Sequence, residues 1–355
     1  MRLLVRATNW VGDAILSIPA LAAIRARWPQ AQISVLARPW VADLYRDQGL
    51  VDHLIPFDHR GRHRGPLGIE RLAAELRAER FDVAVLFQNA FEAAWIVWRA
   101  RIPERIGYAR DGRGMLLTKP IPVASPGEIP AHESNYYLEL LRRAGWIESL
   151  PEIAPVRIRV LAEAAERGEK LLRDAGCPAG GLRVAFGAGA AYGTAKCWPA
   201  NRYADLARTL VAEYGARVLL FGAASEAAVA AEVEQGAGAG VINLIGRSAI
   251  GDLPALLSRC RLFIGNDSGA MHVAAAVGLP VVAIFGPTDA NGTRPLTPQL
   301  SIVQRKVACS PCFLRHCPID HRCMKSVDLQ MVLEAARGWL ALPSLEEPKG
   351  AVARG

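Results

Sequence analysis

Short runs of β-branched and leucine residues alternate with alanine-rich segments of helical period along nearly the whole chain. This is the pattern of α/β units whose strands are buried on both faces. In the first half, Leu3–Arg6, Ile33–Ala37, His53–Pro56, Val83–Phe87 and Arg105–Gly107 predict five strands. In the second half, Arg183–Phe186, Arg217–Phe221, Val241–Leu244, Leu262–Ile264 and Val281–Phe285 predict five more. The matching counts and spacing predict an α/β chain of two doubly wound domains in tandem. A length of 355 residues, beyond what one core usually serves, agrees with that division.

Six prolines at 120, 122, 126, 130, 151 and 155 surround one helical segment near Asn135–Ala144, which places a linker at Pro151–Pro155. The expected domains are therefore 1–155 and 156–342. The second opens on an Ala/Glu/Leu helix, Leu161–Ala175, ended by Gly176 at a position suited to a left-handed cap. A last helix, Asp328–Leu340, precedes residues 343–355, whose charge and Pro/Gly content predict a flexible tail.

The balance of 42 Lys and Arg against 34 Asp and Glu gives a formal charge of +8, which favours acidic partners without choosing among them. The N-terminus runs straight into Leu3-Leu4-Val5 with no secretory leader pattern, so the expected location is cytoplasmic. The most apolar stretch, Val83 to Val97, is broken by Gln88, Asn89 and Glu92; membrane contact is expected to be peripheral.

Four strand-to-helix turns carry candidate chemistry. After the first strand, Gly12-Asp13 precedes Ile15, Leu16, Ile18, Leu21 and Ile24 at helical spacing, so Asp13 sits at a helix start on the carboxyl edge of the sheet. It either caps that helix or faces a ligand. The stretch from Gly187 to Pro199 contains Gly187, Gly189 and Gly193 with Lys196, a plausible phosphate cradle that lacks the ending of a P-loop. A third turn, Gly265-Asn266-Asp267-Ser268-Gly269, opens an alanine-rich helix, and a fourth, Phe285-Gly286-Pro287-Thr288-Asp289, follows the next strand. Three such turns after strands of one domain are harder to dismiss than any one alone.

Arg60, Arg62 and Arg64 form a short basic loop, and Arg110, Arg113 and Lys119 a second basic stretch; guanidinium forks suit phosphate and carboxylate groups. Phe91, Trp95 and Trp98 recur at helical spacing and read as a core stripe. Cys309, Cys312, Cys317 and Cys323 lie close enough in sequence to form a structural zinc site, with reduced thiols or two disulfides as the other outcomes and His316 and His321 as substitute ligands.

The segments NWVGDAILSIPAL, YGTAKCWP, LFGAASE and GNDSGAMHVAAAVGLPVVAIFGPTDANGTRP together resemble glycosyltransferase family 9, the lipopolysaccharide heptosyltransferases, from residue 1 to about residue 340. The resemblance implies a GT-B type fold of two facing Rossmann-like domains, the first for the acceptor and the second for the donor, ADP-heptose. It implies Asp13 as general base, Lys196 on the donor phosphates, Glu226 on the ribose, and Asp267, Ser268 and Gly269 on the diphosphate and sugar. Gly189, Ala190 and Thr288 complete the expected donor set. Arg60, Arg62, Arg64 and Arg113 are the expected acceptor contacts. The acceptor implied is phosphorylated, heptosylated Kdo–lipid A at the cytoplasmic face of the inner membrane. This chain has Ala188-Gly189-Ala190 where relatives commonly have Pro-Gly-Ala, and Cys197 where they have Arg.

The chain has no Asp-x-Asp motif of the kind that holds a divalent ion in metal-dependent transferases, so transfer is expected to need no cofactor. One displacement at the anomeric carbon would invert its configuration. A family 9 transferase acting at another core position is the nearest alternative. A basic, zinc-containing nucleic-acid binder is the alternative from another class; the basic residues are dispersed and no aromatic–basic recognition motif accompanies them, so no nucleic-acid partner is expected.

Overall fold

The computed structural model describes residues 1–342; the tail expected at 343–355 lies outside the described residues. Two all-parallel sheets of six strands each organise the chain. The first contains β1 (Arg2–Arg6), β2 (Gln32–Ala37), β3 (His53–Pro56), β4 (Val83–Leu86), β5 (Glu104–Tyr108) and β6 (Lys119–Ile121), in the order β3-β2-β1-β4-β5-β6. The second contains β7 (Arg183–Gly187), β8 (Arg217–Leu220), β9 (Val241–Asn243), β10 (Leu262–Asn266), β11 (Val281–Phe285) and β12 (Leu300–Gln304), in the order β12-β11-β10-β7-β8-β9. Read from its own first strand, each sheet has the same Rossmann order, with the strand order reversing between β1 and β4 and between β7 and β10.

The central strands are the apolar runs of the sequence: every residue of β4, β10 and β11 is buried. Two of the four edge strands, β6 and β12, fall outside the ten expected. Strand β6 is only three residues long and contains Pro120, which an edge can tolerate because one side of its backbone needs no partner. Strand β12 is mostly half-exposed, so it lacks the continuous apolar run of a central strand.

The helices follow their patterns closely. Ala162–Asp174 ends before Gly176, which takes φ +72°, and Leu329–Leu340 is capped by Asp328, whose side chain accepts from the Met331 amide. The helix Glu133–Arg143 packs against Ile18–Arg27, the helix that follows the first βα turn. Among the described residues, no helix is long and apolar enough to cross a membrane.

The two halves meet where the first helix of one faces the helix after β10 of the other. The helix Val11–Leu16 packs against Gly269–Ala276. A Cβ on Gly269 would lie 2.7 Å from Cβ of Val11, and one on Gly12 would lie 3.0 Å from Cδ2 of His272. Glycine at both positions thus lets the two turns touch, bringing the carboxyl edges of both sheets to one cleft.

Candidate active site

The cleft between the sheets encloses about 620 Å3. Asn9, Trp10, Gly12, Asp13 and Trp40 line it from the first half; Gly189, Lys196, Glu226, Asp267, Ser268 and Thr288 are among those lining it from the second. Both switch points of strand order therefore open on one space, the position where doubly wound sheets bind ligands.

Asp13 is not a cap. The cap position of Val11–Leu16 is Trp10, which makes no side-chain capping bond, and Asp13 lies inside the first turn. Its carboxylate has no hydrogen-bond partner among the described residues. Burial pushes its pKa up to about 6, against the pull of Lys196, and Asp267 raises it further. A carboxylate held near neutrality is suited to accept a proton. Because only the ionised form can do so, activity is expected to rise with pH through about 6 and to fall away below it. A pH–rate profile of kcat checks this; a rate flat from pH 5 to 8 would contradict it.

Across the cleft, Asp267 follows β10 and is almost wholly buried. Its Oδ2 accepts from Lys196 Nζ at 2.6 Å and from Thr288 Oγ1 at 2.8 Å. One carboxylate thereby ties the third turn to the second and the fourth. Asn266, fully buried, locks the same junction: Oδ1 accepts from the Trp198 amide at 3.0 Å and Tyr203 hydroxyl at 2.9 Å, while Nδ2 donates to the Ala188 carbonyl at 2.7 Å. Lys196 Nζ also lies 5.0 Å from the centre of the Tyr192 ring. Ser268 precedes Gly269–Ala276 without capping it, and its buried hydroxyl is left with no partner while lining the cleft. An unsatisfied hydroxyl there is a group prepared for a ligand. Glu226 is seated between glycines: a Cβ on Gly189 would come within 2.4 Å of its Oε1, and one on Gly222 within 2.4 Å of Oε2. Oε2 accepts from the Ala223 amide at 2.7 Å, and burial raises the carboxyl pKa.

Two neighbours carry no assignment from the sequence. His272, on the Gly269–Ala276 helix, lines the cleft, and burial lowers its pKa to about 4, which keeps the imidazole neutral. Glu133, first residue of its helix, is a second carboxylate in the field of Asp13; burial first and Asp13 second push its pKa up to about 7. No motif signals Glu133, because 120 residues separate it from Asp13 and only the packing of Val11–Leu16 near Glu133–Arg143 brings them together.

The other expected residues are placed differently. Ala190 does not line the cleft. Arg113 cannot serve as an acceptor contact: it is fully buried, with Nε donating to the Tyr108 carbonyl, Nη1 to the Gln88 carbonyl and Nη2 to Asn89. Its charge is spent on securing the turn after β5. Arg60 is exposed with its guanidinium 5.4 Å from the Trp40 ring centre, at the cleft mouth, whereas Arg62 pairs with Glu75 at 2.5 Å and Arg64 is exposed outside the cleft lining.

The four clustered cysteines are all free, and among the described residues no three metal-ligating side chains converge. Cys309 and Cys312 are exposed while Cys323 is buried, within electrostatic reach of Cys309, Cys312 and Cys317. The loop that bears them also braces the cleft. Tyr192 donates to the Phe313 carbonyl at 2.9 Å, the Ala195 amide to the Arg315 carbonyl at 2.9 Å, and the Cys312 and Phe313 amides to the Pro287 carbonyl.

A base-ready carboxylate on one Rossmann-like domain and a Lys-centred, hydroxyl-lined cradle on the other define the site of a two-domain group transferase. Comparison with known proteins narrows this. The model for "Glycosyltransferase family 9 (heptosyltransferase)" matches residues 69–322. The chain is 32% identical to lipopolysaccharide heptosyltransferase 2 of Salmonella typhimurium over 86% of its length and 88% of that protein's. Escherichia coli ADP-heptose lps heptosyltransferase II superposes with a TM-score of 0.80 at 28% identity, covering 96% of this chain and 98% of that one. A second E. coli heptosyltransferase, solved with ADP-2-deoxy-2-fluoro heptose, shares the fold at a TM-score of 0.68 and 19% identity. The chain belongs to glycosyltransferase family 9, and its fold is the GT-B arrangement of that family's heptosyltransferases.

Proposed function

We propose that this chain transfers L-glycero-D-manno-heptose from ADP-heptose to the heptosylated Kdo–lipid A core of lipopolysaccharide, with inversion at the anomeric carbon. The observation that carries the reading is the unpartnered Asp13 carboxylate facing the Lys196–Asp267–Thr288 cluster across one cleft. The names of the Salmonella and E. coli relatives support the donor and the class of acceptor.

In this reading the acceptor hydroxyl attacks the anomeric carbon as Asp13 takes its proton. The bond from that carbon to the diphosphate breaks, and ADP leaves with the electron pair. Lys196, the Ser268 hydroxyl and the amides at the start of Gly269–Ala276 stabilise the charge gathering on the diphosphate. Glu226, held against Gly189 and Gly222, accepts from the ribose hydroxyls. Arg60, at the mouth beside Trp40, meets acidic groups of the acceptor. The reaction takes place at the cytoplasmic face of the inner membrane.

Purified protein given ADP-heptose and defined truncated lipopolysaccharides tests this directly. Heptose should appear on the heptosylated acceptor, with ADP released; transfer only to the unheptosylated acceptor would assign another core position. A companion expectation concerns metal. With no Asp-x-Asp motif, transfer should survive a chelator, with circular dichroism checking that the cysteine loop stays folded. Activity abolished by the chelator and restored by magnesium would overturn metal independence.

A further inference from the structure

The sequence pattern predicts Phe91, Trp95 and Trp98 as a core stripe, and the structure does not bury it. Phe91 is 43% exposed, Trp98 39%, and Trp95 is half-buried. Their rings form one row on the helix Phe91–Arg99, with centroids 6.2 Å apart for Phe91–Trp95 and 5.0 Å for Trp95–Trp98. Met115, 85% exposed, lies on the turn Gly114–Leu116 packed against the same helix.

The row leads to the cleft. Glu92, beside Phe91, pairs with Arg38 at 3.0 Å, and the Arg38 guanidinium lies 5.9 Å from the ring centre of Trp40, a cleft-lining residue. Arg60 stacks on the same ring, and Arg99 lies 5.8 Å from the Trp98 ring centre. Acidic groups on this face are already paired: Glu92 with Arg38, Glu70 with Arg99 and Glu75 with Arg62. Residues 60–119 hold twelve Lys and Arg against seven Asp and Glu, which is most of the chain's excess charge.

We infer that this face, Phe91, Trp95, Trp98 and Met115 with Arg60 beside Trp40, seats the first domain on an anionic lipid bilayer so that the cleft mouth opens at the membrane surface. Exposed aromatic rings interleaved with arginine suit the headgroup boundary, where rings insert and guanidinium groups meet lipid phosphates. The inference rests on the proposed reading that the acceptor is a glycolipid.

The test is flotation of the full chain with vesicles of phosphatidylethanolamine and phosphatidylglycerol, against phosphatidylcholine alone. The parent should float with anionic vesicles only, and less at high salt. The triple variant Phe91→Ser, Trp98→Ser, Met115→Ser should bind at least about tenfold more weakly, given the apolar area it withdraws. Its ADP binding and circular dichroism should match the parent. On a deacylated, soluble acceptor it should transfer heptose as the parent does, and on vesicle-embedded acceptor it should fall behind. Equal flotation of parent and variant overturns the inference, as does a parent that ignores anionic vesicles. A dimer in sedimentation that the variant dissolves would assign the face to a second copy of the chain and overturn it too. Failure of the parent on the soluble acceptor would sink the proposed function while leaving the flotation result to stand by itself.

Discussion

Replacing Asp13 with Asn is expected to cut turnover by roughly a hundredfold or more, the usual scale of a positioned general base. The change is nearly isosteric and removes only the capacity to hold a proton. It touches no hydrogen bond, since the Asp13 side chain makes none and the helix cap is Trp10. Stability should therefore hold, and removing a buried, unpaired carboxylate should even raise it slightly at neutral pH. ADP affinity should be largely retained, because the expected donor contacts lie on the other domain. Single-turnover kinetics, thermal unfolding and calorimetric ADP binding check the three in turn. An Asn variant that turns over like the parent would show that the base lies elsewhere, and Glu133 would be the next carboxylate to replace.

Lys196→Ala is expected to cost about 2–4 kcal/mol of transition-state stabilisation, the scale seen when a preorganised anion-stabilising donor is removed. Two further consequences follow from its bond to Asp267. The Asp267 carboxylate, almost fully buried, loses its cationic partner and keeps only Thr288, so some thermal stability should be lost with the activity. Asp13 loses the one influence that lowers its pKa, while burial and Asp267 continue to raise it. The acid limb of the pH–rate profile should therefore move to higher pH. A variant with the parent's rate at saturating donor and acceptor, and an unmoved acid limb, would remove Lys196 from the chemistry.

The sequence pattern alone determined a good deal. The central strands announced themselves because a strand buried on both faces is an apolar run, as β4 and β11 are throughout and β10 is up to its closing Gly265-Asn266. The turns carrying Asp13, Lys196, Glu226 and Asp267 were legible because each directly follows such a strand or sits in a family motif. Edge strands β6 and β12 were not: an open side removes the demand for a continuous apolar run, and β6 is three residues around Pro120 while β12 is mostly half-exposed. Burial also misled where amphipathic spacing was the only guide: Phe91 and Trp98 have the spacing of a core stripe and lie on the surface, while Arg113 has the charge of a surface residue and lies inside.

What only the tertiary structure decided is which groups share a space. Sequence left Asp13 free to be a cap; the fold assigns the cap to Trp10 and turns the carboxylate toward a cleft shared with Asp267, 254 positions further along the chain. It also joined Glu133 to Asp13, set Asp267 between Lys196 and Thr288, and made the cysteine loop a brace for the cradle. The physical reason is that burial, pKa and hydrogen-bond partnership are set by distances in space. Here those distances depend on two glycines, Gly12 and Gly269, small enough to let the facing helices touch. Local pattern determines the strands and turns; the contact between domains determines the chemistry.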